Sequence, residues 1–267
     1  MGKPYALAEN RAPAPPVAGR RKAGRRDVVV VMPAYNAART LQSTYAEIPP
    51  GVADEIILVD DASGDDTVGI ARSLRLRVIA HPHNVGYGGN QKTCYMEALR
   101  RGAEVVIMLH PDGQYDPAIL GKMVAVIRSG QADMVMGSRF LIKGNARLGG
   151  MPWWKRLANR FLTFCENSVL GLGLSEYHSG YRAYSRRFLE TVPFLRNSND
   201  FVFDTQVMVQ AAAFKMRVGE VPVATKYFAE ASSVNLRVSA VYGLKTMATL
   251  ARLLLHRAGL RWRLLER

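Results

Sequence analysis

Asp60 and Asp61 stand side by side at the end of an apolar run, Glu55-Ile-Ile-Leu-Val59. Two adjacent carboxylates repel each other, so a turn or a ligand has to compensate them. In the turn reading they form an Asx-turn and cap the next helix. Ser63, Asp65 and Thr67 can do that capping, which leaves one carboxylate to accept hydrogen bonds from a base or a ribose. A second polar string, His110-Pro-Asp112-Gly-Gln114, also follows an apolar run. Asp112 and Gln114 offer oxygen ligands one residue apart, with His110 as a third, and alternate residues of an extended segment point the same way. Mg²⁺ or Mn²⁺ bridging a diphosphate wants such sparse, hard ligation. A plain turn at Asp112-Gly113 is the competing reading, and the motif alone does not separate the two.

Four further strings carry polar chemistry. Asn84-Val-Gly-Tyr-Gly-Gly89 puts glycines before a helix, which suits either a phosphate cradle or only a tight turn. It has neither Walker nor Rossmann spacing, which argues against a P-loop NTPase or a dehydrogenase. Gly137-Ser-Arg139 and Ser179-Gly-Tyr-Arg182 each present a guanidinium whose fork matches anionic oxygen, with surface salt bridges as the alternative. Asp204 is the single acid in Phe201-Val-Phe-Asp204 and opens a helix, either as a dipole acid or as an acid bordering a reactive site.

These strings need elements to hold them. Residues 28–32 form a β-branched run suited to a strand buried on both faces. Further strands are expected at 55–59, 77–80, 104–109 and 134–136, with helices at 40–48, 67–74, 90–101 and 117–128 between them. Such alternation implies an open, mostly parallel α/β sheet, in which ligands bind at the carboxyl ends of the strands. The motifs of residues 33–36, 60–67, 110–114 and 137–139 each begin directly after a strand, and that coincidence weighs more than any one of them.

The charge is +14 and sits at the ends. Residues 1–26 carry seven cations against Glu9, and residues 236–267 carry seven against Glu266, so each end has a net +6. Basic ends suit a polyanion or an anionic lipid surface; nucleic acid is disfavoured because no reading motif accompanies the charge. Residues 1–26 read as a disordered basic leader without the apolar segment of a secretory signal. Cys94 and Cys165 have no paired or zinc-type spacing, as in a reduced cytoplasmic protein. No uninterrupted apolar stretch approaches about 18 residues, so no spanning helix is expected.

Pro33-Ala-Tyr-Asn36, Asp60-Asp-Ala-Ser-Gly-Asp-Asp-Thr67, Asn84-Val-Gly, Asp112-Gly-Gln114, Gly137-Ser-Arg139 and Ser179-Gly-Tyr-Arg182 follow one another in this order. Over residues 27–235 the chain thereby resembles family 2 glycosyltransferases, in particular the dolichyl-phosphate mannosyltransferase and polyprenyl-phosphate sugar synthase branch. The resemblance implies a GT-A fold (Rossmann-like, with a mostly parallel central sheet) and inverting transfer from a nucleotide-diphospho-sugar, a UDP- or GDP-hexose, to a polyprenyl phosphate. It implies nucleotide binding by Pro33, Tyr35, Val59, Asp61 and Pro111, metal at Asp112 and Gln114, and Arg139 facing the acceptor phosphate, with Arg182 as a second arginine for it. Three departures stand out. Ala37 replaces a glutamate, His110 replaces the first metal-site aspartate, and residues 228–234 replace a basic loop that clamps the diphosphate.

Residues 236–267 are expected to form a basic amphipathic helix on a membrane surface, making the protein peripheral at the inner face. Lys245, Arg252, His256 and Arg263 repeat along one side, beside Leu244, Met247, Ala251, Leu254 and Ala258. Trp153-Trp-Lys-Arg156 with Arg160 is a second candidate contact, and residues 143–150 a candidate lid. A polyprenyl phosphate is already anionic and needs positioning more than deprotonation. A saccharide or other soluble acceptor would instead need a base, for which Asp204 is the candidate. A catalytically silent sugar-nucleotide-binding protein is the third reading, motivated by Ala37 and His110.

Overall fold

The computed structural model describes residues 27–225 and 236–266. The basic leader and the replaced loop at 228–234 lie outside the described residues. Strand β1 (Val28–Ala34) is buried at every position, as its β-branched run requires. It pairs in parallel with β2 (Glu55–Asp60) on one side and β4 (Val105–Met108) on the other. β2 in turn pairs in parallel with β3 (Arg77–Ala80). The sheet continues through β6 (Arg182–Ser185), β5 (Met134–Ser138) and β7 (Val218–Pro222), giving the order β3-β2-β1-β4-β6-β5-β7. β6 runs antiparallel to both β4 and β5, while β7 is parallel to β5.

The five expected strands are present, at slightly different bounds. The other two, β6 and β7, are short and mixed in composition. Arg-Ala-Tyr-Ser carries no strand pattern, and what makes it a strand is its insertion between β4 and β5, where its first three residues are buried. The Ser179-Gly-Tyr-Arg182 string therefore runs into the middle of the sheet.

Helices cover both faces. One face packs Val30, Met32, Leu58 and Ile107 against α1 (Leu41–Ala46), α2 (Thr67–Ser73) and α4 (Leu120–Arg128). The other packs Val29, Val31, Ile57 and Met108 against α3 (Tyr87–Arg100), α6 (Trp153–Leu170) and α8 (Phe203–Ala213). Two short helices, α5 (Asn145–Leu148) and α7 (Arg186–Thr191), lie between β5 and α6 and after β6. The stretch read as a lid contains α5, and Asn145 Nδ2 ties it to the Val223 carbonyl at 2.7 Å.

The last helix, α9 (Leu236–Arg257), packs on α6 and α8 and buries Thr246, Thr249, Leu250 and Leu253. Residues 238–257 have a mean hydropathy of 1.2 and are long and apolar enough to cross a membrane, which corrects the expectation that no segment is. The helix also ends earlier than its 3.6-residue pattern suggests. The chain turns at Gly259 (φ 106°), and Leu264 returns to the body of the protein. Lys245, Arg252 and His256 share α9, but Arg263 lies in a separate turn of 3₁₀ helix.

The start of α3 is held by close backbone approach. A Cβ on Gly88 would stand 2.4 Å from the Ser198 carbonyl and 2.8 Å from Phe203 Cβ. Gly88→Ala is therefore expected to lower unfolding stability by about 1–3 kcal/mol in urea titrations, as overpacking does. Gly121→Ala in α4 meets nothing within 4 Å and should be neutral or stabilising by up to about 1 kcal/mol.

Candidate active site

A cleft of about 810 Å³ opens where β1 and β4 end. Its polar wall holds Pro33, Tyr35, Asp61, His110, Pro111, Asp112 and Gln114, which come from three separate segments of the sequence. Tyr35 is 58% exposed and offers its ring at the rim. Thr40 Oγ1 fixes the 110–114 segment to the first loop by donating to the Pro111 carbonyl at 2.5 Å. Ala37 also lines the cleft, and its amide donates to Thr67 Oγ1 at 2.8 Å.

The acidic pair divides its work. Asp60 accepts from the Ser63 amide and hydroxyl, so it holds the turn. Asp61 reaches the cleft, but its carboxylate is not left open for a base or a ribose as the ligand reading expects. Oδ1 takes the Val85 amide and His81 Nδ1, both at 2.9 Å, and Oδ2 takes the Gly86 amide at 3.1 Å. The glycine-rich turn thus gives two amides to Asp61, and Gly86 at φ 87° permits that approach. Val59 does not reach the cleft: its side chain is fully buried in the core and its carbonyl accepts from Asn90 at 3.0 Å. That corrects the expectation of a nucleotide contact by its side chain.

Asp112 Oδ1 caps its own turn by accepting from the Gln114 amide at 3.0 Å, so the turn reading is true without exhausting the carboxylate. His110 stacks on Tyr87, ring centroids 5.7 Å apart. Burial lowers its pKa, against the pull of Asp112 and Asp204, which keeps the imidazole neutral and its lone pair available near pH 7. Among the described residues no group of three or more His, Cys, Asp and Glu side chains forms a metal cage. One carboxylate, one neutral imidazole and one amide at a cleft wall nevertheless fit an ion that takes its remaining ligands from substrate phosphates and water.

The arginines separate sharply. Arg182 is fully buried and does not line the cleft, which overturns its assignment to an acceptor phosphate. Its guanidinium donates to the carbonyls of Ser179, Tyr177 and Asp204, and it pairs with the Asp204 carboxylate at 3.3 Å. Burial opposes its charge, but Asp204 and the tyrosines around it raise its pKa further above the usual arginine range. Asp204 itself lines the cleft and accepts from Tyr87 Oη at 2.8 Å. Arg139 also lines the cleft, with Glu176 as its buried partner at 2.5 Å.

Several wall residues carried no sequence signal for this role. Lys155 and Trp154 at the start of α6, Leu162 further along it, and Val238 and Tyr242 on α9 form the opposite wall. Lys155 Nζ lies 5.4 Å from the Trp154 ring centroid, and burial together with nearby Arg139 lowers its pKa. His178 is anchored between elements, Nδ1 at 3.0 Å from Tyr242 Oη and Nε2 at 3.1 Å from the buried Glu166 carboxylate. These residues converge only because α6 and α9 pack together.

The open, mostly parallel sheet, with helices on both faces and a polar cleft at its strand ends, has the architecture of the GT-A fold. The sequence profile of glycosyl transferase family 2 matches residues 29–192, and the chain belongs to that family. A UDP-N-acetylglucosamine–dolichyl-phosphate N-acetylglucosaminyltransferase of Methanococcus voltae is 27% identical, over 75% of this chain and 86% of that one. The polyprenol monophosphomannose synthase of Mycolicibacterium smegmatis is 27% identical, over 73% of this chain and 76% of that one. Among solved structures, glucosyl-3-phosphoglycerate synthase of Mycobacterium tuberculosis matches with a TM-score of 0.66 at 20% identity, over 89% of this chain and 82% of that one. The same enzyme in complex with Mn²⁺, UDP and glucosyl-3-phosphoglycerate matches with a TM-score of 0.64 at 19% identity, over the same shares of the two chains.

Two substitutions distinguish framework from site. Arg182→Leu leaves Asp204 buried without its partner and should cost about 3–5 kcal/mol of stability in chemical denaturation. Asp112→Asn keeps an oxygen for the Gln114 amide and should shift stability by less than about 0.5 kcal/mol. Calorimetry with UDP should show that this variant loses the Mn²⁺-dependent part of nucleotide binding. Undiminished metal dependence would remove Asp112 from the metal site.

Proposed function

We propose that this glycosyltransferase moves a hexose, with inversion, from a UDP- or GDP-sugar to a polyprenyl phosphate at the cytoplasmic face of a membrane. The observation that carries this reading is the two-sided cleft. Strand-end polar groups form one wall, and the other is an apolar, cation-bearing wall from α6 and α9. A nucleotide and an amphiphilic phosphate need those two unlike surfaces close together. The names of the relatives agree with this, since they specify dolichyl phosphate and a polyprenol monophosphomannose.

Pro33, Tyr35, Asp61 and Pro111 are the residues for the nucleoside, with Asp61 acting through the 81–86 loop it holds in place. Asp112, Gln114 and His110 would hold Mg²⁺ or Mn²⁺, which when bound screens the charge of the departing diphosphate. Arg139 and Lys155 provide the positive field for the acceptor phosphate, a role Arg182 cannot take. Lys155 on the α6/α9 wall and Arg139 at the end of β5 orient an anionic nucleophile toward the anomeric carbon, opposite the leaving group. Such a nucleophile needs no base, so Asp204 serves here as the partner that fixes Arg182 and Tyr87. A hydroxyl acceptor would require Asp204 as its base.

The test is a donor-by-metal screen of UDP- and GDP-sugars with Mg²⁺ and Mn²⁺, with and without undecaprenyl phosphate. Nucleotide release should rise on adding the lipid phosphate, only with metal, and glycosylated lipid should appear. Equal turnover on a soluble saccharide without lipid would overturn the acceptor assignment, and nucleotide binding with no transfer would favour the silent binding protein. Lys155→Met should weaken acceptor use about tenfold or more, the worth of a charge-assisted contact, at unchanged donor affinity.

A further inference from the structure

Helices α6 and α9 are inside out. The face that α6 buries carries Asn159, Thr163 and Glu166, and only Leu170 is apolar. Its opposite face shows water Trp153 (70% exposed), Leu157, Phe161 (60%) and Phe164 (69%), spaced four, four and three residues apart along one stripe. In α9 two of the four well-buried residues are threonines, Thr246 and Thr249. Its outer face is Val241, Leu244 (71% exposed), Ala248, Ala251 and Leu255. A helix whose outer face faces water has the reverse arrangement. The two helices lie side by side, with Gly243 of α9 against Leu162 of α6, so their outer stripes form one continuous apolar layer. A monomer seldom leaves an apolar patch of that extent to water.

The charge on the layer selects its occupant. Arg160 on α6 and Arg252 and Arg257 on α9 are exposed around it, with Arg156 half-buried beside them. The acidic side chain within the two helices, Glu166, is fully buried. An apolar field edged by arginines, with no exposed carboxylate in either helix and a tryptophan at one end, complements an anionic bilayer interface. Spanning is not the geometry indicated, although residues 238–257 have the length and hydropathy for it. One side of α9 is packed on α6 and α8, and Lys245 is paired to Asp200 in the body of the domain. We propose that the α6/α9 layer is the surface by which the intact domain lies on an anionic membrane, α9 flat in the interface rather than across it.

This docking surface stands whether or not the acceptor is a polyprenyl phosphate, because it concerns binding to lipid and not turnover, so the two readings fail separately. The full chain should float with vesicles of phosphatidylcholine and phosphatidylglycerol, less with phosphatidylcholine alone, and be released by alkaline carbonate. Leu157→Asp with Phe161→Asp, and independently Leu244→Asp with Leu255→Asp, should each reduce partitioning about a hundredfold. Thermal unfolding and UDP binding should be unchanged, since these four side chains are exposed and outside the cleft. Arg160→Gln should weaken binding about fivefold at low salt, with a smaller effect at high salt. The proposal is overturned if the wild type does not bind the vesicles or if the aspartate pairs bind like wild type. Retention in carbonate, which marks a spanning helix, would overturn it too, as would a vesicle-indifferent dimer that the aspartate pairs dissociate.

Discussion

A guanidinium with no access to water must be satisfied entirely by protein, and Arg182 is. Its donors meet three carbonyls, and its charge meets Asp204. This ion pair joins the first residue of the antiparallel strand β6 to the opening turn of α8. It also reaches the cleft, because Asp204 accepts from Tyr87, which stacks on His110. The arrangement of the sheet's middle, the position of α8 and the orientation of His110 thus depend on one buried charge pair. Removing either partner would strand the other in a medium where an unpaired ion is very costly.

Asp61 plays the corresponding part at the end of β2. Its carboxylate gathers two consecutive amides and a histidine, drawing the 81–86 loop against the end of β2. A glycine-rich turn before a helix invites the thought of a phosphate cradle. Here the amides are taken by a carboxylate of the protein itself, so the loop shapes the wall of the cleft beside Asp61. The two buried anion-centred clusters, one under each end of the cleft, leave Asp112 as the half-exposed carboxylate between them, suited to a cation brought with substrate.

The wall opposite the strand-end motifs is built by helices. α6 brings Lys155 and apolar groups to the cleft, α9 brings Val238 and Tyr242, and both turn an apolar layer to the exterior. A lipid surface under that layer would bring an amphiphilic acceptor to the same two helices that line the cleft. Family membership, shown over residues 29–192, stops short of α9. What α9 adds is carried by its packing and its inverted polarity alone.

The parallel half of the sheet was legible from the sequence because a strand buried on both faces must be an unbroken apolar run, and 28–32, 55–59 and 105–108 are such runs. Strand-end polar motifs were legible for the same reason: polar residues stand out against those runs. β6 was not, since Arg182 earns its place in a strand only through a distant carboxylate, Asp204, that no local pattern reveals. For the same reason the sequence could say that Arg139 and Arg182 suit anionic oxygen but not that one faces the cleft and the other is sealed beneath it. An apolar stripe on α9 was visible as periodicity, while the one on α6 was not read from the sequence. Which stripe is inside and which outside is decided by packing, because a 3.6-residue repeat defines two faces without saying which one the core will take.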